Sequence, residues 1–179
     1  MGLRSAIIMN TQHSARGFTI LELLLYVSIA GVILLGVSVF LSALLGARVK
    51  NQTIAEVDSQ GMQVLQLITQ TLRNADSINT PAQGGVSTSL SLNTYIGGLN
   101  PTVFDLAGGV LRVSEGAGAA VPLTNSRVTV SSLSVQNLTR TGAPGVVRVM
   151  FTLSYNNTSG RPEFTYQKNF IGTGALRQP

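Results

Sequence analysis

A run of 25 residues without a single charge, Leu23 to Ala47, constrains this chain more than any other feature. As an α-helix the run would be about 37 Å long, at roughly 1.5 Å per residue. Because the hydrocarbon core of a bilayer is about 30 Å thick, the run predicts a helix that spans a membrane with some tilt. Charged residues make up only 11% of the chain, and the mean hydropathy is +0.31, which also favours a membrane segment.

The charges on either side of this run predict its orientation. Residues 1–17 contain Arg4 and Arg16 and no acid, which favours a cytoplasmic N-terminus. A cleaved secretory signal peptide is the alternative, but its apolar region is only about 7 to 15 residues long and is not opened by an acid such as Glu22. We therefore expect a single-pass protein of the cytoplasmic membrane, with the residues from Arg48 onward outside the cytoplasm.

A helical apolar pattern continues beyond the uncharged run. Apolar residues recur at steps of three, four and seven, and so share one face of a helix: Ile54, Val57, Val64, Leu65, Ile68 and Leu72. No proline interrupts the chain between Phe18 and Thr80, so the helix is expected to continue to about Asn74. We predict that this face seats a globular domain, and a docking face for a partner is the alternative.

Alternating apolar and polar residues replace the helical pattern after Pro81. This alternation predicts strands at 86–93, 110–114, 127–136, 146–155 and 163–171. The polar stretch 74–80 predicts the helix end and a linker, and residues 156–160 predict a hairpin loop.

The expected fold class is α+β, with a long N-terminal helix packed on a small antiparallel β-sheet domain. One half of the helix is expected to be transmembrane and the other half amphipathic. The expected segments are a basic leader at 1–17, a transmembrane helix at 18–47, an amphipathic continuation at 48–76 and a β-rich domain at 77–179.

The residues that precede the uncharged run form a motif, Arg16-Gly17-Phe18-Thr19-Ile20-Leu21-Glu22. It resembles the class III signal of type IV pilins, pseudopilins and related prepilins, in which a short basic leader ends in Gly and the mature chain begins with Phe and carries Glu at its fifth position. The resemblance implies cleavage between Gly17 and Phe18 by the prepilin peptidase, a membrane aspartic peptidase, followed by N-methylation of Phe18. A glycine suits such a cleft because its backbone can lie extended there, while Arg4 and Arg16 hold the leader at the cytoplasmic face.

The same resemblance implies a pilin-like fold and a set of partners. These are other pilin or pseudopilin subunits, an assembly platform and its ATPase, in a type IV pilus or a type II secretion-like pseudopilus. The stretch from Pro122 to Val130 is similar to minor pilins and to J-type minor pseudopilins. Many major pilins carry a proline midway along the apolar segment, where this chain has Val39. A structural role as a minor subunit is therefore expected.

Glu22 is the costly residue of the apolar segment. An acid is unfavourable by up to about 2.5 to 3.5 kcal/mol at the centre of a bilayer and by less near its surface. The resemblance implies a compensating partner, the α-ammonium group of Phe18 on a neighbouring subunit, which would also set the axial register of the filament. The alternative is that Glu22 snorkels to the membrane surface near the helix N-terminus, where the helix dipole favours a negative charge.

Residues that carry catalytic or metal chemistry are scarce. The chain has no cysteine, which excludes disulfides, thiolate zinc sites and thiol nucleophiles. Its one histidine is His13, so the outer region has neither His nor Cys for acid-base or nucleophilic chemistry. The closest acids there, Glu56 and Asp58, are two residues apart on a helix and are expected to face different directions. No calcium-binding cluster, cofactor site or catalytic residue is predicted, and an enzyme is disfavoured.

The positive charge of the outer region leaves one alternative function open. Ten Lys and Arg residues stand against six acids from Arg48 onward. Such an excess favours a membrane-anchored module that binds DNA or an anionic surface. No cluster of cations interleaved with aromatic residues supports it, so an ordinary solvated surface is the preferred interpretation.

The Gly17-Phe18 junction gives a prediction about processing. Protein isolated from the membranes of its native host should begin at an N-methylated Phe18, as measured by intact mass and N-terminal sequencing. Replacement of Gly17 by a bulky or β-branched residue should slow cleavage more than Gly17→Ala does. A mature chain that begins beyond Ala43 would instead indicate ordinary signal-peptide cleavage.

Overall fold

A computed structural model describes Gly17 and residues 19–177 of the chain. Helix α1 spans Ile20–Arg73 without interruption. It is followed by nine strands, at Ala75–Thr80 (β1), Val86–Ser87 (β2), Leu90–Thr94 (β3), Thr102–Ala107 (β4), Val110–Glu115 (β5), Val121–Pro122 (β6), Val128–Asn137 (β7), Val146–Tyr155 (β8) and Gln167–Ala175 (β9). The α+β class is confirmed, and one long N-terminal helix with antiparallel sheets fits a pilin-like layout.

The strands form two antiparallel sheets where a single small sheet was expected. The first sheet has the order β1-β3-β4-β5-β6, and the second has the order β2-β7-β8-β9. The segment 86–93, predicted as one strand, is divided between them, because Val86 and Ser87 pair with β7 while Leu90 to Leu92 pair with β4. The last predicted strand also begins later, at Gln167, after a single 3-10 turn at Pro162–Phe164.

The prediction of a linker at 74–80 is wrong. The helix ends at Arg73, and β1 begins at Ala75 and pairs with β3. Polar residues occupy this strand because their side chains are satisfied across the pair, where the Asn79 and Asn93 amides exchange hydrogen bonds of 2.7 and 3.0 Å. The amphipathic part of the helix is therefore three residues shorter than the expected end at residue 76.

The described part of the chain divides into two compact units between residues 44 and 45, and the second of them, residues 45–177, is called the β-rich unit below. In the second unit, the helix supplies Val57, Val64, Ile68 and Leu72 to a core shared with both sheets, and each of these side chains is at most 2% exposed. Ile54 and Leu65, at the margins of this face, are half-buried. The prediction that the apolar face seats a globular domain is confirmed.

Glycines set the distance between α1 and β9. A Cβ atom at Gly61 would lie 2.1 Å from Cζ of Phe170, so the helix has a gap that this ring fills. Further along β9 the glycines are on the strand and the large side chains are on the helix. There, Leu65 and Leu72 fill the space beside Gly172 and Gly174. The three strand residues alternate along β9 and share one face of the sheet. Backbone and rings therefore approach more closely than larger side chains would allow.

Two acids on α1, Glu56 and Asp58, pair with residues on different sides of the helix. Glu56 accepts a hydrogen bond of 2.7 Å from the Asn125 amide and lies 3.7 Å from Arg127, just before β7. Asp58 accepts a hydrogen bond of 3.0 Å from Lys168 in β9. This hydrogen bond raises the pKa of Lys168 above its ordinary value of 10.5. The prediction that the two acids face different directions is confirmed.

The contact between Gly61 and Phe170 predicts a large effect from a small substitution. Gly61→Ala should lower the free energy of unfolding by about 1 to 3 kcal/mol, because the ring of Phe170 has to move out of a filled space. Met62→Ala, at an exposed position on the next residue, should change it by less than about 0.5 kcal/mol. Denaturant unfolding of the full chain in detergent measures both. Equal destabilisation by the two variants would contradict the packing described.

Candidate functional site at the start of the helix

The predicted processing residues lie immediately before α1. Gly17 is exposed, and a Cβ atom placed on it would meet no atom within 4 Å. The protein's own packing therefore does not require a glycine at this position. Phe18, Arg4 and Arg16 lie outside the described residues.

Thr19 caps the N-terminus of α1. Its side-chain Oγ1 accepts a hydrogen bond of 3.2 Å from the backbone N–H of Glu22, and its carbonyl oxygen accepts one of 3.1 Å from the N–H of Leu23. A threonine followed three residues later by a glutamate is the sequence signature of a capping box. The sequence analysis did not predict this cap, although Thr19-Ile20-Leu21-Glu22 carries its signature.

The carboxylate of Glu22 is half-buried and accepts a hydrogen bond of 3.2 Å from the Tyr26 hydroxyl, one turn further along the helix. The acid also lies in the first turn, where the helix dipole favours a negative charge. Glu22 thus has local stabilisation within its own chain. That stabilisation is partial, since a carboxylate can accept several hydrogen bonds at once.

The helix beyond Glu22 presents apolar side chains all around its circumference. From Ile20 to Leu44, the large apolar side chains are between 45% and 83% exposed. None of the most apolar 18-residue window of α1, whose mean hydropathy is 2.5, is buried within the structure. The core helix of a soluble protein would be mostly covered by its own chain. This part of α1 is long and apolar enough to cross a membrane, and its surface needs cover from lipid or from other chains.

A second group of polar residues marks the end of the uncharged run. The segment between β8 and β9, residues 156–166, lies against α1, where Lys50 donates a hydrogen bond of 2.5 Å to the carbonyl oxygen of Thr165. The side chain of Glu163 lies beside Gly46, since a Cβ atom there would be 3.7 Å from Glu163 Oε1. Arg161 pairs with that same oxygen at 3.1 Å. The other oxygen, Oε2, is buried and accepts no hydrogen bond from any described residue.

The environment of Glu163 favours its charged form. A hydrogen bond from its own backbone N–H lowers the pKa of Glu163 below the ordinary value of 4.5, and the hydrogen bond from Arg161 lowers it further. The segment 156–166 is also held by stacking of Phe164 on Tyr155, with ring centres 5.8 Å apart. This segment therefore holds strands β8 and β9 against the helix near the end of the uncharged run.

Side chains of the types that bind metal ions are dispersed in the part of the chain that the structure describes. No three His, Cys, Asp or Glu side chains come together there. A cleft of about 770 Å³ lies at the C-terminal end of α1 and is lined by Arg73, Tyr95, Ile96, Glu115 and Arg177, among others. Glu115 is its only acid, so no pair of carboxylates is available there for acid-base chemistry.

Comparisons with known proteins give no relatives. No protein-family model matches this chain, and neither a curated protein nor a solved structure is detectably similar to it. Its function is therefore inferred from its own residues and their arrangement.

The lowered pKa of Glu163 predicts an acid-sensitive attachment of segment 156–166. A carboxylate whose pKa is lowered by folding contributes stability above its unfolded pKa, and that contribution is lost as the pH falls through the folded value. The full chain in detergent should therefore lose melting temperature below about pH 4.5, and Glu163→Gln should lose less over the same interval. Near-UV circular dichroism melts at neutral pH and at about pH 3 measure the difference. An identical loss in both proteins would contradict this role for Glu163.

Proposed function

We propose that this chain is the precursor of a minor subunit of a type IV pilus or of a type II secretion-like pseudopilus. The observation that carries the proposal is the arrangement at the start of α1. There, a Gly-Phe junction precedes a capped helix whose only acid before Arg48 is Glu22. The uncovered apolar helix and the separate β-rich unit support it. The role is structural, and it requires no catalytic residue.

Membrane insertion is the first step of the proposed function. Leu23 to Ala47 enter the bilayer, with Arg4 and Arg16 retained on the cytoplasmic side. The β-rich unit then lies outside the cytoplasm. Prepilin peptidase cleaves after Gly17, which is exposed, and Phe18 becomes a methylated N-terminus.

Assembly is the second step, and it explains why an acid is kept at Glu22. When the helix leaves the lipid for a filament core, the surface at this depth becomes apolar protein, where an unpaired carboxylate is costly. The Tyr26 hydroxyl is a neutral donor and leaves the negative charge in place. The α-ammonium group of Phe18 on a neighbouring subunit supplies the opposite charge. The companion subunits, an assembly platform and an ATPase complete the machinery.

A second proposal, a membrane-anchored module that binds DNA or another polyanion, is supported by the cations of the β-rich unit. Six of its ten cationic side chains take part in none of the four ion pairs formed among the described residues: Arg48, Lys50, Arg73, Arg140, Arg148 and Arg177. Release of counterions by such groups would make binding fall steeply as salt is raised. Salt-dependent binding of duplex DNA by the purified full chain would favour this function over a purely structural one.

Substitutions at Glu22 test the proposed function. Glu22→Leu makes the segment more apolar, so membrane insertion and cleavage at Gly17 should stay near wild-type levels. Incorporation into filaments should fall by about tenfold or more, because the neighbour's α-ammonium group loses its partner. Tyr26→Phe is the matched control, since it removes the hydroxyl that bonds to Glu22 and keeps the charge, and it should incorporate normally. Immunoblots of membrane and sheared-filament fractions measure both.

Normal incorporation of Glu22→Leu would contradict the proposed pairing and would leave snorkelling of Glu22 to the membrane surface near the helix N-terminus as its account. Loss of incorporation in Tyr26→Phe as well as in Glu22→Leu would place the requirement in the local hydrogen bond.

A further inference from the structure

The two sheets end in four edge strands, and three of them are poorly suited to accept another strand. Both β2 and β6 are only two residues long, and β6 ends in Pro122. β1 is interrupted by two register shifts against β3 and carries Asp76. Short length, bulges, proline and charge are the usual means by which natural sheets prevent unwanted strand pairing.

The fourth edge, β9, is neither short nor interrupted by a bulge or a proline. It is nine residues long, contains no proline and no acid, and pairs with β8 in register from Gln167 to Ala175 without a shift. Outside its pairing with β8, no backbone hydrogen bond among the described residues involves 167–175. Its one cation, Lys168, is held by Asp58 of the helix. The outer edge of β9 therefore presents a row of free backbone donors and acceptors.

A groove on α1 follows this free edge. It has a volume of about 360 Å³ and is lined by Met62, Leu65, Gln66, Thr69, Gln70 and Arg73. Leu65 and Thr69 border the groove and also lie against Gly172 and Gly174 of β9. Glu56, in contrast, is paired on the β7 side of the helix. The groove thus lies on the flank of α1 that faces the unpaired side of β9.

The positive charge near this groove favours an acidic binding partner. Arg73 lines one end of the groove, and Arg177 follows the end of β9, with its backbone N–H bonded to the Arg73 carbonyl oxygen. The β-rich unit carries ten cations and six acids. A second copy of the same unit would bring two surfaces of like charge together, whereas an acidic chain would meet opposite charge.

We propose that β9 and this groove bind an extended, acidic segment of a different polypeptide. The segment adds to the second sheet as a fifth strand beside β9, and alternate side chains enter the groove against Met62 and Leu65. Backbone hydrogen bonds to the free edge supply affinity, and the groove supplies selectivity for apolar residues at every second position. This interaction surface is independent of the proposed function of the N-terminal segment.

A synthetic peptide about eight residues long, with alternating Glu and Val, is a suitable probe. It is titrated onto the full chain in detergent micelles, with binding measured by fluorescence anisotropy and the β9 amides followed by hydrogen exchange. We expect saturable binding and slower exchange in 167–175. A peptide with Lys in place of Glu should bind about tenfold more weakly, and so should the acidic peptide with a central proline.

Two helix variants separate the groove from general charge effects. Met62→Glu places an acid in the groove and should weaken binding of the acidic peptide by about tenfold or more. Leu67→Glu places the same charge on the same helix but outside the groove, and should weaken it by less than about twofold. Circular dichroism melts of both variants confirm that they are folded.

Several results would overturn the proposal. These are no binding of the acidic peptide, binding without protection of the β9 amides, equal binding of the Lys peptide, or equal effects of Met62→Glu and Leu67→Glu. Protection of the β9 amides on raising the protein concentration alone, without peptide, would assign the edge to a second copy of this chain.

Discussion

The structure depends on a quantity of apolar surface that the chain cannot cover by itself. From Ile20 to Leu44 every large apolar side chain is substantially exposed, while 13 residues further on Val57 of the same helix is fully buried by strands. The two parts of the unbroken helix therefore have different surroundings, because the sheets cover only the second part. This part of the helix is long and apolar enough to cross a membrane, and a membrane or a bundle of like helices would keep its apolar surface out of water.

The helix packs closely against β9. Phe170 fills the gap at Gly61, and the helix leucines fill the spaces beside two β9 glycines. The same close approach leaves the outer edge of β9 beside a groove on the helix. The packing of β9 on the helix thus determines where its free edge lies. A strand added at that edge would contact side chains of the helix.

The sequence predicted those features that depend on long and regular patterns. The unbroken helix, its end near Asn74 and its buried face were predicted from apolar spacing and from the absence of proline. β1 was not predicted, because its polar residues are satisfied by Asn93 and its neighbours on β3, which no local pattern shows. β4 was also missed, although its buried Thr102 and Phe104 alternate as strand residues do. Alternating glycines at 172 and 174 were a readable signal of close backbone approach.

The candidate site shows the same division. Gly17, Phe18 and Glu22 were chosen from a motif, and the structure adds what the motif could not, namely the cap at Thr19 and the hydrogen bond from Tyr26. The attachment of Glu163 beside Gly46 joins residues more than a hundred positions apart. Such a contact follows from the folded sheet, so spacing along the chain gave no sign of it.

The central claim is that α1 changes environment near residue 45, and the absence of cysteine from the chain makes this directly measurable. Single cysteines are introduced along α1. Cells whose cytoplasmic membrane is intact, and whose extracytoplasmic side is accessible to the reagent, are then treated with a membrane-impermeant maleimide. Val32→Cys and Val39→Cys should resist labelling until detergent is added, whereas Gln52→Cys and Gln63→Cys, at exposed positions beyond the boundary, should react at once. Equal and rapid labelling at all four positions would show that the apolar half of α1 is in water and would contradict the account.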